Sequence, residues 1–117
     1  MLDNKYIGVY HVTVDPKGRI NLPKKFRRNG VNIYYSRPSP SVKGFLLYPE
    51  PTFEEIVEGL ENLPEDDPIR VSFAESREIK VDSASRMNIA RLDLGDRVTM
   101  LGNLNCLILR KAEKKKE

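Results

Sequence analysis

The feature that most constrains this chain is an internal repeat. The thirteen-residue run Asp15-Pro16-Lys17-Gly18-Arg19-Ile20-Asn21-Leu22-Pro23-Lys24-Lys25-Phe26-Arg27 returns, reduced, as Asp82-Ser83-Ala84-Ser85-Arg86-Met87-Asn88-Ile89-Ala90. Asp15 and Asp82 are 67 positions apart, as are Arg19 and Arg86, and apolar-Asn-apolar follows each arginine. A repeated unit that cannot close its own core does so by packing on its copy. At 117 residues the chain can bury one modest core, whereas two separate domains would each be marginal. The expectation is a tandem duplication folded into one pseudo-symmetric body. Residues 1–50 would form the first repeat, 51–68 an acidic linker helix, 69–110 the second repeat and 111–117 a charged, disordered tail.

Net charge is only +3, but its sign is segregated. From Met1 to Tyr48 nine Lys or Arg stand against two acids; from Pro49 to Ile79 two stand against ten; from Lys80 to Glu117 nine stand against five. Both copies are basic and the segment joining them is acidic, so a polyanion would meet the repeats and avoid the joint. The single cysteine, Cys106, has no intramolecular disulfide partner, and the single histidine, His11, offers no metal-ligand spacing. A reducing cytosol is the expected compartment. Met1-Leu2-Asp3-Asn4-Lys5 lacks the apolar stretch of a signal peptide, and no apolar run approaches the roughly 20 residues of a membrane span, so no membrane partner is expected.

Local patterns place the elements. Tyr6 to Val14 is dense in β-branched and aromatic residues and reads as a strand. Asp15-Pro16-Lys17-Gly18 has the residue order of a type I turn, which holds the tip rigid and lets Lys17 and Arg19 project. A short strand over Ile20-Asn21-Leu22 follows, then a short helix from Pro23 to Arg28 that turns Phe26 inward and stops before Gly30. Val31 to Tyr35 and Gly44 to Tyr48 read as strands around a Pro- and Ser-rich loop at 36–43. Thr52 and Glu55 have capping-box spacing, and Phe53, Ile56, Val57, Leu60 and Leu63 share one face of an acidic helix. Ile69 to Phe73 and Arg77 to Val81 are strand candidates. A turn at Asp82 to Arg86, a strand at Met87 to Ile89, a helical turn near Arg91 to Leu94 and a hairpin of Val98 to Leu101 with Cys106 to Leu109 complete the second copy.

A basic residue on each side of a glycine at a rigid tip suits DNA, because the tip can enter a groove without first ordering a loop. Arg19 can engage guanine or phosphate through its planar fork, and Lys17 offers a point charge suited to phosphate. Arg19 can equally pair with Asp15 and lock the turn, and the survival of Asp82 and Arg86 in a copy that has lost Lys and Gly points to a structural share. Lys24, Lys25, Arg27 and Arg28 are candidate phosphate anchors because they adjoin the tip in sequence. His11 reads as a packing or hydrogen-bonding residue, and Tyr10, Tyr34, Tyr35 and Tyr48 as core instead of a base-stacking platform. Glu54, Glu55, Glu58 and Glu61 form a solvated face that could also pair with a basic patch of a neighbouring subunit. No nucleophile motif, general base, phosphate loop or metal set is present in the sequence, so neither enzymatic activity, a cofactor nor a small-molecule substrate is expected.

The stretch from Tyr6 to Arg27, with Asp15, Lys17, Gly18 and Arg19 followed by apolar-x-apolar-Pro and a closing Phe-Arg, resembles the first signature of the MraZ family. Leu46-Leu47-Tyr48-Pro49 before the acidic helix, and Val81-Asp82 to Arg86 leading to Val98-Thr99-Met100-Leu101-Gly102, extend the likeness. The resemblance implies a mostly β (α+β) fold in which two AbrB-type swapped-hairpin repeats make one pseudo-symmetric β-barrel with a few short helices. It implies a cytoplasmic, nucleoid-associated bacterial transcription regulator that binds short promoter repeats of double-stranded DNA near the division and cell-wall gene cluster and usually represses it. It also implies a homo-oligomer, in the family a ring, in which weak contacts add through avidity. Asp15, Lys17, Gly18 and Arg19 occupy the first motif, and Asp82 and Arg86 are what remains of the second. Asp15, Gly18 and Asp82 would position the turns; Lys17, Arg19, Lys24, Lys25, Arg27, Arg28 and Arg86 would contact DNA. The alternative from another class is an antitoxin-like AbrB-type module that binds a protein partner through the acidic helix region.

Overall fold

In the computed structural model, residues 5–39 and 43–113 are described. In chain order they form β1 (Val9–Thr13), β2 (Arg19–Asn21), β3 (Ile33–Pro38), β4 (Phe45–Pro49), α1 (Glu50–Leu60), α2 (Pro68–Ala74), β5 (Arg77–Lys80), β6 (Arg86–Asn88), β7 (Arg97–Asn103) and β8 (Cys106–Lys111). The fold is thus mostly β with two helices. Alternation sets the strands: Tyr10 and Val12 of β1 turn inward while Val9, His11 and Thr13 face out, as the pleat requires.

Six strands make one antiparallel sheet in the order β1-β7-β8-β4-β3-β5, and β2 pairs with β6 in a separate ribbon. Exchanging the copies sends β1 to β5, β7 to β3 and β8 to β4, so the order reads the same from either edge. Each copy gives its first strand to the other copy's hairpin, β1 to β7 and β5 to β3. The ribbon repeats this interlock in the register Arg19↔Asn88, Ile20↔Met87, Asn21↔Arg86. Just beyond it, Ile89 N–H donates to the Gly18 carbonyl and Leu22 N–H to the Ser85 carbonyl, both at 2.8 Å. These two bonds are images of each other under the 67-residue shift.

The pairing does not close the sheet into a barrel: β1 and β5 are its edges. The ribbon touches both edge strands, and Val81, just past β5, bridges to Met87 of β6. The core lies between sheet and ribbon, with Ile20, Leu22, Phe26, Tyr34, Leu47, Met87, Val98, Met100, Leu107 and Leu109 all buried. Gly102 of β7 lets the chain before β1 lie close against it, since a Cβ there would stand 2.4 Å from the Tyr6 backbone.

Four local expectations change. Ile69–Phe73 is part of α2 and not a strand: Asp67 caps that helix by accepting a hydrogen bond from Ile69 N–H at 2.9 Å, and Pro68 occupies its first turn. The alternating Ile69, Val71 and Phe73 mimic a strand, yet only Phe73 is buried. The acidic helix begins at Glu50 behind Pro49, whose side chain has no acceptor to cap it, so Thr52 lies inside the helix and the Thr52–Glu55 capping box does not form. β3 runs on through Ser36, Arg37 and Pro38, past the strand end at Tyr35 that the sequence predicts. The helix expected over Pro23–Arg28 is a single 3-10 turn, Lys24–Phe26, matched in the second copy by Ala90–Leu92. The expected loop centre at 40–42 and the end of the charged tail at 114–117 lie outside the described residues.

The tyrosines are structural. The Tyr6 and Tyr34 hydroxyls share a buried 2.8 Å hydrogen bond, and burial pushes both phenols above their ordinary value. Phe26 receives Tyr6 and Tyr10 edge-on at centroid distances of 5.8 and 4.9 Å, which ties β1 to the 3-10 turn. Phe53 of α1 stacks on Tyr35 at 4.2 Å and fixes the helical hairpin to β3. Tyr34→Phe leaves the buried Tyr6 hydroxyl without its partner, and chemical denaturation should show a loss of about 1–3 kcal/mol with an unchanged fold.

Candidate nucleic-acid interface

Each turn is built on one carboxylate. Asp15 Oδ1 accepts the Lys17 and Arg19 backbone N–H groups at 2.9 and 2.8 Å, and Oδ2 accepts Arg19 Nε–H at 2.9 Å. In the second copy Asp82 Oδ1 accepts the Ala84 and Arg86 N–H groups, both at 2.9 Å, and Oδ2 accepts Arg86 Nε–H at 3.0 Å. Backbone bonds from Gly18 N–H to the Asp15 carbonyl and from Ser85 N–H to the Asp82 carbonyl close both turns at 2.9 Å. The amide of Arg19 first, then its guanidinium and the Lys17 amide, hold the Asp15 carboxyl below the usual carboxylate range despite some desolvation. Asp82 is lowered in the same way, led by the Arg86 amide.

The two readings of Arg19, lock or outward contact, are geometrically compatible. Only Nε is taken by the aspartate; among the described residues the terminal nitrogens of Arg19 and Arg86 have no partner, and the side chains are 27% and 36% exposed. The carboxylate fixes the stem of each arginine and leaves its outer fork available. Both turns require a left-handed residue, Gly18 at φ 84° and Ser85 at φ 59°. Gly18 is further required by the neighbouring copy, since a Cβ there would sit 2.6 Å from Ala90 Cβ.

The ribbon sorts its side chains by period two. Ile20 and Met87 face the core at 1% and 0% exposure, so Arg19, Asn21, Arg86 and Asn88 lie together on the other face. Asn21 and Asn88 were not among the site residues expected from sequence. Their signal was the apolar-Asn-apolar after each arginine, but only the cross-copy register sets each asparagine opposite the other copy's arginine.

The basic run is placed differently from its sequence position. Because the copies interlock, Arg27 and Arg28 line a cavity with Asp82, Ser83 and Ser85 of the second turn, while the first turn shares a cavity with Asp93 and Asp96. Arg28 is engaged in the fold: it donates to the Lys25 and Lys5 carbonyls at 2.7 and 2.8 Å and lies 4.4 Å over the Tyr6 ring. Arg27 Nε–H is held by the Leu22 carbonyl at 2.9 Å. Lys17, Lys24 and Lys25 are exposed. His11 Nδ1 lies 3.1 Å from Thr99 Oγ1, in keeping with a hydrogen-bonding residue. Among the described residues no His, Cys, Asp or Glu cluster could hold a metal, and no helix is long and apolar enough to cross a membrane.

A regulator from Herpetosiphon aurantiacus described as "Transcriptional regulator MraZ" is 31% identical to the chain over 88 residues. The chain is similar to that regulator over most of its own length. The alignment takes in 70% of this chain, which spans about 60% of the length of that regulator. No family model matches the chain. The MraZ likeness read from the signature residues at Asp15–Arg19 thus has a counterpart in a comparison of most of the chain.

Two outcomes test the turns. Gly18→Ala meets both a left-handed backbone and the Ala90 methyl, and should cost about 1–3 kcal/mol, whereas Ser85→Gly relieves strain and should stabilise by about 1 kcal/mol. Both carboxyls titrate lower folded than unfolded, so the stability they confer is complete above about pH 4 and is lost as pH falls through their lowered values. Thermal melts from pH 7 to 3 should decline only at the acid end, less steeply for Asp15→Asn.

Proposed function

We propose that the chain is a transcription regulator that binds double-stranded DNA in a sequence-specific way through the ribbon face and its two turns. The observation that carries this reading is a two-stranded ribbon, floored by Ile20 and Met87, that displays Arg19 and Arg86 with their outer forks unpaired among the described residues. A ribbon about 5 Å wide between strands enters a major groove about 12 Å wide, where arginine forks match guanine. Lys17, Lys24 and Lys25 supply phosphate contacts, and Arg27 adds charge beside the second turn. Arg28 supports this surface from beneath. The relative's description as a transcriptional regulator agrees with this reading.

The interleaved copies are read as AbrB-type swapped hairpins, with the ribbon lying across both sheet edges as the closing side of a barrel-like body. The protein acts in the cytoplasm, at the nucleoid, as a homo-oligomer whose turns engage several promoter repeats of the division and cell-wall cluster. Repression follows by occlusion of the promoter, and multiple weak contacts add through effective concentration. No cofactor or catalytic step enters this mechanism.

Fluorescence anisotropy with the chain's own upstream DNA over a salt series tests the reading. Affinity should fall with a log–log slope near −0.9 per phosphate engaged, Lys24→Ala should reduce that slope by about one, and Arg19→Ala should weaken specific binding by about 1–3 kcal/mol. Salt-insensitive or absent duplex binding, with capture of one protein partner through the acidic α1–α2 region, would favour the protein-interaction module instead.

A further inference from the structure

The two asparagines of the ribbon are equivalent in sequence and unlike in bonding. Asn88 is tied at both ends of its amide: Oδ1 accepts Ala90 N–H at 3.0 Å and Nδ2–H reaches the Lys17 carbonyl at 3.4 Å. In the first copy the residue corresponding to Ala90 is Pro23, whose nitrogen carries no hydrogen. Asn21 is exposed, and among the described residues its amide makes no hydrogen bond. It stands directly across the ribbon from Arg86, the more exposed of the two arginines.

The surroundings of the two ends differ in the same sense. The Asn88 end lies by the cavity of the first turn, which contains Asp93 and Asp96. The Asn21 end lies by the second turn, whose cavity wall is Arg27 and Arg28, and is followed at once by exposed Lys24 and Lys25. The second turn, which has lost its own lysine and glycine, is thus supplied with an exposed cation, Arg27, by the first copy. A free amide, a free arginine fork and flanking phosphate-binding charge meet there and nowhere else on the ribbon.

We propose that Asn21 and Arg86 form the base-reading pair of this protein, Asn21 taking adenine N6 and N7 and Arg86 a nearby guanine in the major groove, while Asn88 is a structural amide. This rests on the DNA-binding reading above. An asparagine amide offers the donor and acceptor that adenine's major-groove edge complements, which an amide tied into its own backbone cannot do. The ribbon therefore reads DNA with a polarity that its pseudo-two-fold backbone would not impose.

The test uses the full chain and a randomised duplex library. The best-bound duplex is then altered one base pair at a time and measured by anisotropy with the unaltered chain, Asn21→Ala, Asn88→Ala and Pro23→Ala. Asn21→Ala should abolish discrimination at one A·T pair, a loss of about tenfold or more, with affinity for unrelated duplex within twofold. Pro23→Ala restores an N–H that can capture the Asn21 amide and should lower discrimination at the same pair. Asn88→Ala should lower the melting temperature and keep the full base preference. If the unaltered chain discriminates but Asn21→Ala and Pro23→Ala, folded by circular dichroism, discriminate equally at every pair, the assignment of Asn21 is overturned while DNA binding stands. No duplex binding by the unaltered chain overturns both.

Discussion

Pairing of β2 with β6 is the constraint on which the rest of the structure depends. It is three residues long in each strand and extended on both sides by the amides of Ile89 and Leu22. A strand that short would not hold as an isolated hairpin. It persists because the same exchange is made on the large sheet, where β1 and β5 are each inserted beside the other copy's hairpin. Removing one copy would take Met87 from opposite Ile20 and would leave the Leu22 amide without its Ser85 carbonyl. The interlock also sets which turn faces which flank, and so determines the chemistry of the surface as well as its stability.

On that frame the aspartate–arginine lock is a local device with a clear division of labour. One carboxylate oxygen gathers two backbone amides and the other holds a guanidinium at Nε, so the turn is fixed by an acid that is itself kept ionised by the groups it fixes. Partly exposed pairs of this kind add little net energy. Their contribution lies in geometry: an arginine anchored at Nε presents its remaining donors in one direction. The second copy keeps this device with serine in the left-handed position, which shows that the lock depends on the aspartate and arginine and less on the lysine and glycine of the tip.

Much of this was legible from residues alone. The repeat, both turns, the inward Phe26, the acidic helix and the final hairpin follow from spacing and turn chemistry. Ile69 to Phe73 misled because its alternation satisfies a strand pattern, while the Asp67-Pro68 start that makes it a helix is a weaker signal spread over two residues. The basic run from Lys24 to Arg28 is plain in the sequence, but its neighbourhood is not. Sequence adjacency attaches it to the first turn, and only the exchange of strands sets Arg27 and Arg28 beside the second. Arg28 shows the further limit of counting charges, since its guanidinium is drawn over Tyr6 and bonded to three carbonyls instead of being displayed.

The differences between the copies then take on a common physical sense. Gly18 lies against Ala90 in the opposite copy, at a separation that admits no Cβ on the glycine. Ala90 in turn supplies the N–H that binds Asn88, while Pro23, at the corresponding place, has none to offer Asn21. One glycine, one alanine and one proline therefore distinguish a closely packed end with a tied amide from an end with a free one. The acids at Asp93 and Asp96 and the arginines at 27 and 28 follow the same division. The result is a body whose strand pairing is two-fold in pattern and whose ribbon face is one-sided in chemistry, and on the proposed DNA-binding reading that one-sidedness would distinguish the two directions along a duplex.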